Sequence, residues 1–257
     1  MELITEIDIR KLAIEYLTPG GPRKVVRKPK TDHPETHRLI SHNDGHLSVR
    51  SWGEGPLVML VHGWAANQTD MFKYVSAFVE NDYCAVAIDL PAHGESTGET
   101  ASLDQLADGI VAVAEHFGNF KAVVAHSVGC AATQIALTRG LNVDKAIMLA
   151  SPENYENAAR RFAKYRGLED DHLEIFIQEL HDLGVRTAIK SLDVVGNFQL
   201  PALIIHSVDD PVIPIASSKN ISEAWSGSRF VSVNQLGHRG VLKDDAVIQT
   251  VIDFVKE

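Results

Sequence analysis

Three residue types able to share one reaction stand in a telling order along the chain. Ser127 ends the stretch KAVVAHS, in which Ala122–His126 is a short apolar run, and from Val128 to Leu137 the spacing turns helical. A serine is thereby placed on a turn between a buried strand and a helix. Its neighbours two residues away on either side, Ala125 and Gly129, are small, as a strained turn requires if larger side chains are not to collide across it. The turn also aims the backbone N–H of Val128, at the positive end of a helix, toward whatever the serine oxygen attacks. A serine hydroxyl is a poor nucleophile at neutral pH. It needs a base within hydrogen-bond reach, and the base needs an acid to orient it.

Twelve histidines compete for the role of base. His238 lies in Leu236-Gly237-His238-Arg239-Gly240, where glycines on both sides let a loop place the ring freely. Two adjacent carboxylates, Asp209 and Asp210, follow another short apolar run. Neighbours in an extended loop point in different directions, so one of the two can reach the distal ring nitrogen of His238. Cys130 is close to Ser127 but reads as a small core residue inside the helix. The bland alternative for Ser127 is a helix cap after a strand.

The elements that must position these groups alternate. A helix over 6–17 ends at Pro19-Gly20-Gly21, and residues 19–36, with the basic run 23–30, read as an extended solvated arm. His33, His37, His42 and His46 fit no compact zinc spacing, and the segments 37–41 and 46–52 read as edge strands around Asn43-Asp44-Gly45. Strands follow at 57–61, 84–90, 121–126, 144–149, 201–205 and 229–233. Helices are expected over 69–80, from Ser102 to about 117, and over 128–139, 215–225 and 244–256. Residues 152–192 carry only helical patterns. This predicts an α/β fold whose eight-stranded, mostly parallel sheet has helices on both faces. Ser127, His62, Asp210 and His238 all fall just after strand ends, so groups remote in sequence gather at one edge of the sheet.

Composition narrows the partners. The 257 residues carry a net charge of −10, which argues against nucleic acid. No apolar run approaches a membrane span, and the first residues mix acids with apolar side chains, unlike a secretory signal. The expectation is a cytoplasmic protein with a small-molecule substrate and no membrane association.

The stretch around Ser127 resembles the G-x-S-x-G nucleophile elbow of the α/β-hydrolase family, with Ala125 in place of the first glycine. Residues 206–214, HSVDDPVIP, resemble that family's H-G-x-x-D-x-x-V-P stretch, with Ser207 for its glycine. Residues 89–96, DLPAHGES, resemble its D-x-P-x-H-G-x-S turn, a scaffold signature. The order of elements resembles the family from about residue 37 to the end.

The resemblance implies catalytic Ser127, Asp210 and His238, with Asp209 left as a loop or capping carboxylate. It implies oxyanion donors in the backbone N–H groups of Val128 and Trp64, a structural role for His62, and no cofactor or metal. It implies a division into an N-terminal helix and arm (1–36) and a hydrolase domain (37–257) with a short helical cap insert at about 152–195. His126, Tyr155, Phe162 and Phe176 are the expected pocket residues. The activity implied is that of a carboxylesterase on small or medium uncharged esters. Thioesterase, lipase, C–C bond hydrolase and cofactor-free haloperoxidase chemistry use the same triad, and a small-molecule receptor with negligible turnover is the reading from another class.

Overall fold

The computed structural model of the chain describes residues 6–21 and 28–257. Most of the basic run of the N-terminal arm lies outside the described residues. Eight strands form one sheet: β1 (Thr36–His42), β2 (Gly45–Trp52), β3 (Leu57–Val61), β4 (Cys84–Ile88), β5 (Ala122–His126), β6 (Ala146–Leu149), β7 (Ala202–Ser207) and β8 (Ser228–Val233), in the order β1-β2-β4-β3-β5-β6-β7-β8. The β1–β2 and β2–β4 pairs are antiparallel and all others parallel. The hairpin closes as His42 pairs with Gly45, and Asn43 takes the left-handed conformation that such a turn needs. The four clustered histidines do not converge. His37 meets Ser48, His46 meets the Glu95 carbonyl, and His42 meets Asn43.

Successive residues of the inner strands point to opposite faces, and both faces are covered, so the strands read as unbroken apolar runs. Val58 and Leu60 of β3 face α2 (Phe72–Val79), whereas Met59 and Val61 face the larger cluster on the other side. That cluster takes in α3 (Leu103–Phe117) and α4 (Val128–Thr138). Ser102 and Gln105 form a reciprocal cap at the start of α3. Between β6 and β7 come α5 (Tyr155–Tyr165), α6 (Leu173–Asp182) and α7 (Ser191–Val195). After β7 follow α8 (Ile215–Ala224), the short α9 (Gly237–Gly240) and α10 (Asp245–Lys256), the last packed beside α2. Among the described residues no helix is long and apolar enough to cross a membrane.

The N-terminal helix α1 (Glu6–Leu17) packs on the helices that follow β6. It lies mainly on α6 and also on α5, and it buries Ile9, Ala13 and Leu17 in the larger core cluster. The carbonyl of Leu17 accepts from the N–H of Ala101, which ties its end to the loop before α3.

Two buried polar residues fix the loops at the carboxyl edge of the sheet. Asp89 accepts from the backbone N–H groups of Gln68 and Glu95 and from the Gln68 side chain. His62, fully buried after β3, donates through Nδ1 to the carbonyl of Gly63 (2.7 Å) and accepts at Nε2 from the N–H of Leu90 (3.0 Å). Burial lowers the His62 pKa to about 4. The unfolded ring takes up its proton near ~6.5 and the folded ring only near 4, so stability falls as pH drops through that window. The loss from this ring alone should be on the order of 3 kcal/mol. Urea unfolding from pH 7 to 4 measures it. His62→Gln should be less stable at pH 7 and lose less on acidification. Parallel pH curves for the two proteins would remove His62 from the effect.

Candidate functional site

At the end of β5 the backbone turns abruptly. Ser127 has φ 55° and ψ −126°, a conformation that a residue with a side chain adopts only when its surroundings impose it. The need for small neighbours has a more specific cause than a clash across the turn. A Cβ on Gly129 would lie 2.5 Å from the carbonyl oxygen of His62. A Cβ on Gly63 would lie 3.1 Å from the Ser127 Cβ and 3.0 Å from the His126 ring. The loop after β3 and the turn after β5 are therefore pressed together: a Cβ at position 129 would overlap the His62 backbone, and one at position 63 would have to push its neighbours aside.

The strand ends bring three remote side chains into line. His238 Nε2 is 3.1 Å from Ser127 Oγ, and His238 Nδ1 is 2.7 Å from Asp210 Oδ2. A nitrogen facing a carboxylate carries the proton, so Nδ1 donates and Nε2 presents its lone pair to the serine hydroxyl. Asp210 follows β7, with its side chain shut off from solvent. Burial opposes its ionisation. Hydrogen bonds from His206, His238 and the backbone N–H groups of Ile213 and Val212 outweigh that and hold the carboxyl well below the usual range. Asp209 is solvent-exposed and points elsewhere, accepting from Ser207 Oγ (2.5 Å) and from the N–H of Gly237 (3.2 Å). It steadies the start of the histidine loop instead of touching the ring.

His206 is a partner that the sequence did not single out. Its Nε2 faces the Ile213 carbonyl (3.0 Å) and Asp210 Oδ2 (3.2 Å), both acceptors, so that nitrogen is protonated and donates. Its Nδ1 sits 2.7 Å from the Ser218 hydroxyl. The ring braces the same carboxylate oxygen that His238 meets.

The backbone N–H of Val128 opens α4, where first-turn donors have no intrahelical acceptor. Trp64 follows Gly63 in the loop pressed against Ser127, and its indole lines the same cavity as Ser127 and Val128. Cys130 is fully buried, its thiol donates to the Ala125 carbonyl, and burial pushes its pKa up to about 12. A thiol held protonated in this way is not a competing nucleophile.

A cavity of about 250 Å³ opens at Ser127, lined largely by apolar surface. Tyr155 and Phe162, both on α5, stand in its wall. His126 and Phe176 do not. His126 is enclosed beneath the histidine loop, where its Nε2 donates to the His238 carbonyl (2.9 Å). Burial lowers its pKa to about 3, so it remains neutral. Phe176 is fully buried with its ring edge-on to Tyr16. Helical spacing identified its apolar face, but that face meets α1 instead of the cavity. Tyr16 of α1 takes the vacant place in the wall, its ring 5.2 Å from that of Phe162 and 6.5 Å from that of Trp64. The only signal in the sequence was an aromatic on an amphipathic helix.

Comparison with known proteins accords with this fold. Residues 58–250 match the family described as "Alpha/beta hydrolase family". Pimeloyl-[acyl-carrier protein] methyl ester esterase of Vibrio parahaemolyticus is 33% identical over 150 residues, covering 52% of this chain and 50% of that protein. A bifunctional esterase/perhydrolase of Acinetobacter calcoaceticus is 30% identical over 112 residues, 41% of each. The chain spans about half the length of the curated relatives it matches. Among solved structures, an esterase from Exiguobacterium antarcticum superposes with a TM-score of 0.69 at 18% identity, over 86% of this chain and 100% of that one. A bromoperoxidase from Bacillus anthracis gives 0.69 at 15% identity, over 87% of this chain and 100% of that one. By the extent of the family match, the chain belongs to the alpha/beta hydrolase family.

Proposed function

We propose that the protein is a carboxylesterase that cleaves small or medium acyl esters through an acyl-enzyme. The observation that carries this reading is the continuous relay from Asp210 through His238 to Ser127, at 2.7 and 3.1 Å, opening on an apolar cavity. The relatives named as esterases support the same class of reaction.

In this mechanism Ser127 Oγ attacks the ester carbonyl while His238 Nε2 takes its proton. The developing oxyanion lies against the N–H groups of Val128 and Trp64, a kind of contact whose loss typically costs ~10²–10³ in rate. Collapse breaks the bond to the alkoxide, which leaves with the proton from His238. A water then repeats the sequence on the acyl-enzyme and frees the acid. Asp210 holds the ring in the accepting tautomer and stabilises the imidazolium. The segment 152–195 acts as a cap over the cavity, with Tyr155 and Phe162 facing the acyl group, and α1 supplies Tyr16 to the same wall.

Fluorophosphonate labelling tests the nucleophile. Label should appear on Ser127, and Ser127→Ala should fold normally yet lose at least ~10³ of ester turnover. Label on Cys130 or on another serine would reject the assignment. Asp210→Asn should lower kcat/KM by ~10³–10⁴ with the fold intact, and Asp209→Asn should cost far less. The reverse order, with both variants folded by circular dichroism, would make Asp209 the acid. Wall residues should set acyl length. Tyr16→Ala and Phe162→Ala should each move the preferred chain upward across a series of p-nitrophenyl esters, and unchanged profiles in both would place the determinant elsewhere.

A further inference from the structure

Gln134 stands in the wall of the cavity but is almost wholly buried, at 1% exposure. One end of its amide is committed, with Nε2 donating to Ser151 Oγ at 3.2 Å. The other end, Oε1, is buried and has no partner among the described residues. Exchanging oxygen and nitrogen does not remove the anomaly, because the Ser151 hydroxyl can serve either atom and the opposite end is then left over. Buried polar groups are paired in the great majority of cases, so an orphan on the wall of a pocket calls for a partner that enters the pocket.

Of the other polar residues of the wall, Arg161 of α5 is an exposed cation, and Ser191 and Glu153 are already engaged. Ser191 Oγ donates to the Pro152 carbonyl (3.0 Å), and the Glu153 carboxylate accepts from Asn220 (2.8 Å). The phenols of Tyr16 and Tyr155 stay protonated, since burial raises both pKa values. The free end of Gln134 is thus a neutral hydrogen-bonding position in mainly apolar surroundings, suited to an uncharged ligand group. It lies on α4 two turns beyond Ser127, about 10 Å along the helix axis, with its side chain leaning back toward the helix start. A chain bonded to Ser127 and running along α4 passes it several carbons from the carbonyl.

We infer that Gln134 forms a polar subsite that selects an acyl group bearing a hydroxyl several carbons from the ester carbonyl. A hydroxyl both donates and accepts, so it completes the amide in either orientation. The inference rests on the esterase reading for the word "acyl", but the subsite itself is testable without turnover. A site built to hydrogen-bond a hydroxyl rejects the analogue that lacks it far more strongly than an apolar wall rejects a change of one methylene.

The test is calorimetric binding of uncleaved amides, hexanamide against its positional monohydroxy analogues, to the full chain and to Gln134→Met. One hydroxyl position should bind at least about tenfold more tightly than hexanamide, and Gln134→Met should abolish that gap. If Gln134→Met does not fold, Gln134→Asn, which withdraws the amide by one carbon, should narrow the gap or move it to another position. Loss of a merely structural contact to Ser151 would weaken all these ligands alike and leave their ratios unchanged. Equal affinities across the series, or a gap that survives the substitution, would overturn the inference. The matching methyl esters, followed by titration of released acid, should rank in the same order. A binding gap without Ser127 labelling or ester turnover would reject the esterase reading while leaving the subsite standing.

Discussion

The constraint on which the site depends is the left-handed backbone of Ser127. Such a conformation costs roughly 1–3 kcal/mol for a residue with a side chain and persists only where the surroundings over-determine it. Here they do. The N–H of Ser127 donates to the Leu149 carbonyl on the next strand, and its carbonyl accepts from Cys130 in the first turn of α4. Gly129 lies against the His62 carbonyl and Gly63 against Ser127 itself. The sharp turn lifts the hydroxyl out of the sheet edge, and the close approach of the Gly63 loop places Trp64 beside it. Substituting either glycine would push apart two loops that must touch.

Around that fixed point the polar groups form one buried chain. His62 holds the carbonyl of Gly63 and the N–H of Leu90, so the end of β3 is tied to the end of β4. His126 holds the carbonyl of His238, which ties the histidine loop to β5. His206 braces Asp210, and Ser218 joins His206 to Ser151, the hydrogen-bond partner of Gln134. Three of these histidines serve through ring nitrogens facing backbone groups or a carboxylate. Burial keeps His62 and His126 neutral, so an imidazolium on His238, as the proposed mechanism requires, would meet no second cation from them. In a region of low dielectric that absence of repulsion matters more than it would in water.

Legibility in the sequence followed the range of the interaction. The sheet and its helices could be read because buried strands are short apolar runs and amphipathic helices repeat at helical spacing. Ser127, Asp210 and His238 could be read because each sits on a short loop whose neighbours, small residues, a proline or flanking glycines, are themselves diagnostic. The cavity wall could not. Periodicity marks which face of a helix is apolar but not which element covers it, so Phe176 was assigned to a cavity from which α1 separates it. The same rule hid Tyr16, which reaches the site only because α1 packs on α6 and α5. His126 was misplaced for a related reason: proximity in sequence to Ser127 says nothing about the side of the sheet to which its ring turns.

On the esterase proposal, packing α1 into the cavity wall also changes what limits the substrate. The matched esterase structure is covered over its whole length yet accounts for 86% of this chain, so part of this chain has no counterpart there. In a hydrolase whose acyl wall comes from a cap alone, chain-length selectivity is a property of one insert. Here Tyr16 stands within ring contact of Trp64 beside Ser127 and of Tyr155 and Phe162 on α5. A shift of α1 therefore moves the ring that closes the wall while the relay of Ser127, His238 and Asp210, anchored on the sheet, stays where it is. On the esterase proposal, selectivity and chemistry rest on different parts of the chain, and they can change independently.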